Sequence, residues 1–289
     1  DHRDLHSFPT RRSSDLKGGL FRERAGLALI NRDTKSYEPQ LDQPGFKVMH
    51  IPHIDYRTTC LTLQEGLTTI RDWSQANPGH IPIMVLIEVK GKLPQLMAEL
   101  SVQPPVICGT EELEALDEEI LTVFPRDQLL LPDDVRQGLK SLEEGVLKYG
   151  WPKLKDAAGK VFFALDNTDR IRNLYLQRHP SLEGRVMFTS SLPGNPSAAF
   201  IKANNPMGEH GEQIRKWVSQ GYLVRTMADP PLTEISPDNL ARPQAALACG
   251  AHFVSTDFPR PNPTGYQVRL PGSEKLPARL NPITGTAER

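Results

Sequence analysis

The side chains of this chain that can carry chemistry are ionisable groups at the ends of apolar stretches. His50 closes Phe46–Met49, and Asp55 follows in the string VMHIPHIDYRTTC. An imidazole titrates near neutrality and can hand a proton to a leaving oxygen. A polar loop histidine is the ordinary alternative, and the residues alone leave both readings open. Glu88 and Lys90 lie two apart in LIEVKG, so a strand puts them on one face. A carboxylate there needs a partner, because burying an unpaired charge is costly. A hard cation such as calcium, which prefers carboxylate oxygens, is one partner; Lys90, in a plain ion pair, is the other. With a metal present, the lysine can face a phosphate instead. Arg225 and Asp229 sit in GYLVRTMADP at and just past a strand end. A guanidinium fork there can hold a phosphate or sugar hydroxyls, or it can pair with Asp229. Asp257 in VSTDFP and Asp166 after VFFAL are strand-end aspartates, a position where loop capping is common.

Those groups need elements to position them. Leu61 to Trp73 carries Leu61, Leu63, Leu67, Ile70 and Trp73 at helical spacing, and Asn77-Pro78-Gly79 stops that helix. Ile81 to Val89 is nearly continuous in apolar residues, the look of a parallel strand covered on both faces. Glu111 to Val123 reads as a helix and Lys160 to Leu165 as a second buried strand, with Asn167-Thr168-Asp169 ready to cap the helix after it. Val186–Phe188, Tyr222–Arg225 and His252–Ser255 read as strands. Between Phe188 and the helix around Ile214 to Val218 the chain reads as a loop rich in Ser, Pro and Asn. Asp238 to Cys249 reads as a helix ending at Gly250. Gly18 to Ile30 reads as a hairpin arm, with Phe46–His50 the short strand that returns. Strands that alternate with helices predict parallel βα units. The polar candidates, Ser190 and Ser191 among them, all fall where apolar strands end, the end that carries the chemistry in a (β/α) barrel. About five barrel strands can be counted, fewer than the eight of a complete barrel.

Composition narrows the classes. The chain has 289 residues, enough for a sizeable core, and 26 prolines, which predict long, stiff loops. A net charge of -1 argues against nucleic acid, which needs clustered Lys and Arg. No apolar run is long enough to span a membrane. No Gly-rich phosphate loop, nucleophile elbow or zinc signature occurs. Cys60, Cys108 and Cys249 lack metal-ligand spacing, and an odd number cannot pair completely. Buried free thiols are the simplest reading, with one disulfide as the alternative. Residues 1–16, DHRDLHSFPTRRSSDL, have no apolar core and no periodicity. They read as the translation of a common DNA-sequencing adapter, residue by residue through Leu16. His2 and His6 therefore stand outside the chemical argument, and residues 17–289 make up the natural domain.

The strings PGFKVMHIPHIDYRTTCLTLQEGLTTIRDWSQANPGHIPIMVLIEVK, VFPRDQLLLPDDVR, GWPKL, GYLVRTMAD, HFVSTDFP and ARLNP occur here in order. Together they resemble the bacterial calcium-dependent phosphoinositide phospholipase C family, from about Gly18 to Pro282. The resemblance implies an α/β fold, a TIM-type (β/α) barrel of the phospholipase C-like phosphodiesterase kind. It implies Ca2+ as cofactor, a phosphoinositide lipid as substrate, transient contact with a membrane surface, a monomer and a secreted or periplasmic location. His50 matches the family's second catalytic histidine, the general acid toward the leaving group. Glu88 matches a carboxylate that binds calcium and assists as base. Lys90 matches a phosphate contact more weakly. Arg225, Asp229 and Asp257 fall in family motifs as substrate contacts.

The chain departs from the family at its start. The family's first catalytic histidine, with an adjacent calcium-binding asparagine, and a Glu-x-Asp pair belong to the first two barrel strands, before Gly18. Neither pair occurs here. The expectation is a barrel incomplete by its first one or two strands: the natural gene product an enzyme, the chain as given not a competent one. Two other readings remain beside this one. One is a barrel phosphodiesterase of the glycerophosphodiester type; the other is a barrel that binds phosphorylated sugars or anionic membranes without catalysis.

Overall fold

The structure is a computed structural model. It describes residues 8–9, 39–42, 44–49, 58–90, 108–271 and 278–285. His50, Asp55 and the arm read over Gly18–Ile30 lie outside the described residues. The chain divides into two compact units, Leu5–Asp134 with Pro152–Phe188, and Val135–Trp151 with Thr189–Arg289.

The first unit is built on β2 (Ile83–Ile87) and β4 (Val161–Leu165), which pair in parallel with Ile83 opposite Val161 and Ile87 opposite Leu165. β4 is buried at every position, as a strand covered on both faces must be. Its Phe163 meets Phe124 edge to face at 5.6 Å, and Phe162 meets Phe188 in the same way at 6.0 Å. Each such side chain taken out of water stabilises the fold by about 1.5–3 kcal/mol. β5 (Met187–Thr189) adds to the other edge of β4, and the division between the units falls inside it.

Helices flank these strands. α1 (Leu63–Ala76) begins where Thr62 Oγ1 accepts the Glu65 N–H at 3.1 Å, and it buries Leu63 and Leu67. α2 (Thr110–Val123) buries Leu113, Leu116, Ile120 and Val123, a stripe of helical period that packs against α1. Phe46–Met49, expected as a strand, makes one antiparallel bridge, Lys47 to Thr62, with Val48 N–H donating to the Leu61 carbonyl at 3.1 Å. Two shorter elements follow: α3 (Pro132–Arg136) and later α5 (Leu154–Ala157). α6 (Arg170–Leu176) is capped by Asp169, whose Oδ1 accepts the Ile171 N–H at 3.2 Å. Two backbone pairs, β1 (Phe8–Pro9) and β3 (Val89–Lys90), run parallel.

The second unit has its own parallel sheet of β6 (Phe200–Lys202), β7 (Leu223–Met227) and β8 (Phe253–Ser255) in that order. Phe200 stands opposite Leu223, Lys202 opposite Arg225, and Arg225 opposite Phe253. α7 (Glu209–Ser219) and α8 (Ala241–Ala248) follow β6 and β7 and pack on β7. α8 begins three residues later than its sequence suggested, with no side-chain cap at Leu240. Gly250 ends it at φ 84°, and a Cβ there would collide with Ile283. α4 (Leu142–Tyr149), which the sequence reading passed over, is capped by Ser141 Oγ accepting the Glu144 N–H at 3.1 Å. Its Gly145 lies so close to the Val135 carbonyl that no side chain fits. The three cysteines are buried and free.

Candidate active site

In the first unit the carboxyl ends of β2 and β4 carry Glu88 and Asp166, each directly after a register pair, Ile87 with Leu165. The apolar run through Val89 is interrupted at Glu88 for a nonlocal reason. The Asn167 side chain accepts the Val89 N–H at 2.8 Å and donates to the Val89 carbonyl at 3.1 Å. Its amide thus does what a neighbouring strand's backbone would do, and it frees Glu88 from the ladder. Glu88 accepts from Lys90 Nζ at 2.6 Å, with the two side chains 32% and 22% exposed. Of the two partners the sequence offers Glu88, the structure shows the lysine.

In the second unit the register puts Lys202, Arg225 and Ser255 on one face of the sheet, because cross-strand partners point the same way. Arg225 is buried. Its Nε donates to Ser255 Oγ at 2.7 Å and its Nη1 to Asn204 Oδ1, so the guanidinium spans the ends of β6 and β8. Asp229 is also buried. Its carboxylate accepts from Thr256 Oγ1 at 2.9 Å, the Asp257 N–H at 2.6 Å and Tyr266 OH at 3.2 Å. Burial pushes its carboxyl above the ordinary range, and those donors pull the other way. Asp257 is exposed at the end of β8, its backbone held by Asp229. Ser190 Oγ accepts the Lys202 N–H at 2.9 Å, and Ser191 shares hydrogen bonds with Thr189 and Ser197. These serines tie the chain just after β5 to the end of β6 and to the loop before it. Lys202, Asn204 and Ser255 were missed in the sequence. Lys202 follows the apolar pair Phe200–Ile201 within a Ser-, Pro- and Asn-rich stretch, and that brief FIK was the only signal.

His50 lies outside the described residues, so the structure places Glu88, Lys90, Arg225, Asp229 and Asp257 but not the expected acid. Calcium takes six to eight oxygens. Among the described residues no group of three or more His, Cys, Asp or Glu side chains gathers to hold a metal. Glu88 and Asp166 offer hard carboxylate oxygens at adjacent strand ends, part of such a donor set and not the whole of it.

The chain matches the family model described as phosphoinositide phospholipase C, Ca2+-dependent, over residues 10–282. The match thus opens inside the segment 1–16. Among solved structures it is similar to a Ca2+-dependent phosphatidylinositol-specific phospholipase C from Streptomyces antibioticus. The TM-score is 0.52 at 20% identity, covering 74% of this chain and 80% of that one. It is also similar to a calcium-dependent phosphoinositol-specific phospholipase C from a Gram-negative Pseudomonas species. There the TM-score is 0.50 at 17% identity, covering 80% of this chain and 73% of the other. At these identities the two likenesses speak for the α/β fold. No curated protein matches the chain. The family match spans nearly the whole sequence, Glu88, Asp166, Arg225, Asp229 and Asp257 included: the chain belongs to the calcium-dependent phosphoinositide phospholipase C family of phosphodiester-cleaving enzymes.

Proposed function

We propose that the enzyme cleaves phosphatidylinositol-type lipids at a membrane surface, releasing diacylglycerol and an inositol phosphate. The inositol 2-hydroxyl attacks phosphorus, a new O–P bond forms, and the P–O bond to glycerol breaks. The glycerol oxygen leaves with a proton, which gives a cyclic phosphate that water can open. His50 donates that proton. Glu88 takes the hydroxyl proton and is the residue here that would hold calcium. When bound, calcium supplies positive charge that lowers the hydroxyl's pKa and offsets charge on the phosphate. Lys90 and Arg225 contact the phosphate, Asp257 contacts the inositol, and Asp229 acts on the headgroup by holding Asp257.

The observation that carries this reading is Arg225, a buried guanidinium in the middle of β7, where the sequence suggested the strand's end; it reaches across to Ser255, the last residue of β8, near the carboxyl ends at which α/β sheets bind their ligands. The strands are, in this proposal, those of a TIM-type barrel. Parallel pairing, helices after strands and the parallel bridge between Ser190 and Phe200 support it. Contact with a membrane is supported by large apolar side chains on the loops after β5, β6 and β7. Leu192, Met207 and Leu232 are 54%, 38% and 83% exposed. We also place the enzyme outside the cytoplasm, which cell fractionation tests.

The test is product analysis with phosphatidylinositol vesicles, using the natural gene product. The expected result for the gene product is inositol phosphate in the presence of calcium, none with a chelator, and a loss of at least about a hundredfold in His50→Ala. Release of glycerol phosphate from glycerophosphodiesters would replace this reading with the alternative phosphodiesterase. Full activity in His50→Ala would remove the proposed acid.

A further inference from the structure

We infer that Arg242 is a positioning residue for Arg225, acting through Asn204. This rests on Arg225 being the phosphate contact proposed above. Arg242 is the second residue of α8 and reaches back to the loop after β6. Its Nη2 donates to the Asn204 carbonyl at 2.6 Å and its Nη1 to Asn205 Oδ1 at 3.4 Å. Its Nε is buried and has no hydrogen-bond partner among the described residues, while the side chain as a whole is half-buried against the loop.

Asn204 is the junction. Its main-chain oxygen is held by Arg242, while its side-chain oxygen accepts Nη1 of Arg225. The residue before it is fixed to β7, since the Ala203 N–H donates to the Arg225 carbonyl at 2.9 Å. The side chain of Asn204 therefore points where its backbone is pinned, and Arg242 supplies a pin. Another anchor of Arg225, Ser255 Oγ, comes from β8. Two anchors from opposite sides fix the plane of a guanidinium, and recognition of a phosphate by a planar fork depends on that plane. Loss of Arg242 leaves the charge of Arg225 in place and frees its orientation.

The test is binding of myo-inositol 1-phosphate to the full chain by titration calorimetry, with thermal unfolding measured in parallel. Arg225→Lys is expected to weaken binding about tenfold, the loss of one charge-assisted contact. Arg242→Gln is expected to weaken it about three- to tenfold while binding of unphosphorylated myo-inositol is unchanged, and the double variant to bind no worse than Arg225→Lys alone. Asn204→Ala, which keeps the carbonyl contact and removes only the side-chain oxygen, is expected to reproduce the loss. It decides the matter if Arg242→Gln lowers the Tm. Parent-like binding by Arg242→Gln, or additive losses in the double variant, would overturn the relay while Arg225 kept its role. Parent-like binding by Arg225→Lys, or no binding by the parent chain, would overturn the reading of Arg225 and the relay with it.

Discussion

At the scale of single residues, burial decides what each ionisable group does. Asp117 on α2 is enclosed with Tyr175, whose OH donates to its two oxygens at 2.7 and 3.0 Å, and Arg185, whose Nη1 lies 3.4 Å away. The Arg185 guanidinium stacks 3.8 Å from the centre of the Tyr175 ring. Tyr175 OH in turn accepts the Met187 N–H at 2.9 Å, tying the cluster to the start of β5. Burial pushes the Asp117 carboxyl up to about 6, and Arg185, Tyr175 and more distant His179 offset only part of that. The folded protein thus holds a proton that the unfolded chain gives up near its ordinary value of 3.8. Stability from this group is present in full below that value and lost as pH rises through about 6. The loss amounts to about 3 kcal/mol, because each pH unit separating the folded and unfolded titrations is worth about 1.4 kcal/mol. Denaturant midpoints measured from pH 4 to 7 are expected to show this fall in the parent and not in Asp117→Asn. An identical slope in the variant would place the titration elsewhere. Cys60, Cys108 and Cys249 were legible as buried thiols, because nothing in their spacing invited a metal. The enclosure of Asp117 was not, since Tyr175 and Arg185 lie far from it in sequence.

At the scale of elements, the buried strands and the amphipathic helices were the legible part. Ile83–Ile87 and Val161–Leu165 announce themselves by uninterrupted apolar residues, and α1 and α2 by a repeating apolar stripe. β6 was not legible, because three residues are too few for a period and its place is fixed by pairing with β7. α4 did carry a signal, Ser141 with Glu144 three residues on, which Gly145 in its middle obscured. The break at Glu88 is set by Asn167, 78 residues away from Val89 in sequence. Replacing Asn167 by Ala would leave the Val89 N–H and carbonyl without these partners. The expected cost is about 1–3 kcal/mol, read as a Tm lower by several degrees. An unchanged Tm would mean that the amide does not stand in for a strand.

At the scale of the molecule, each unit is an α/β assembly of parallel strands with helices after them, and most of the polar candidates lie at or just past the carboxyl ends of those strands. In the second unit the segments after β6 and β7 leave from one end of their parallel sheet and carry Met207 and Leu232, both exposed. Burying one leucine in a lipid interface is worth about 1.5–3 kcal/mol, or roughly tenfold or more in partitioning. Leu232→Asp is therefore expected to lower sedimentation with phosphatidylinositol vesicles about tenfold and to leave binding of soluble myo-inositol 1-phosphate unchanged. Vesicle binding equal to the parent's would remove Leu232 from the contact.

The residue order by itself determined the family and the alternation of strands and helices, and it put Glu88, Asp166 and Asp257 at or just past strand ends, because apolar periodicity and motif strings are local properties of the chain; Arg225, expected at a strand end, lies inside β7. Only the tertiary structure decided that Glu88 pairs with Lys90, that Arg225 is anchored between Asn204 and Ser255, and that Asp229 holds the Asp257 backbone. Hydrogen bonds form between whatever the folded backbone brings within about 3 Å. For Arg225 and Asp229 those partners lie 21 to 37 residues away in sequence.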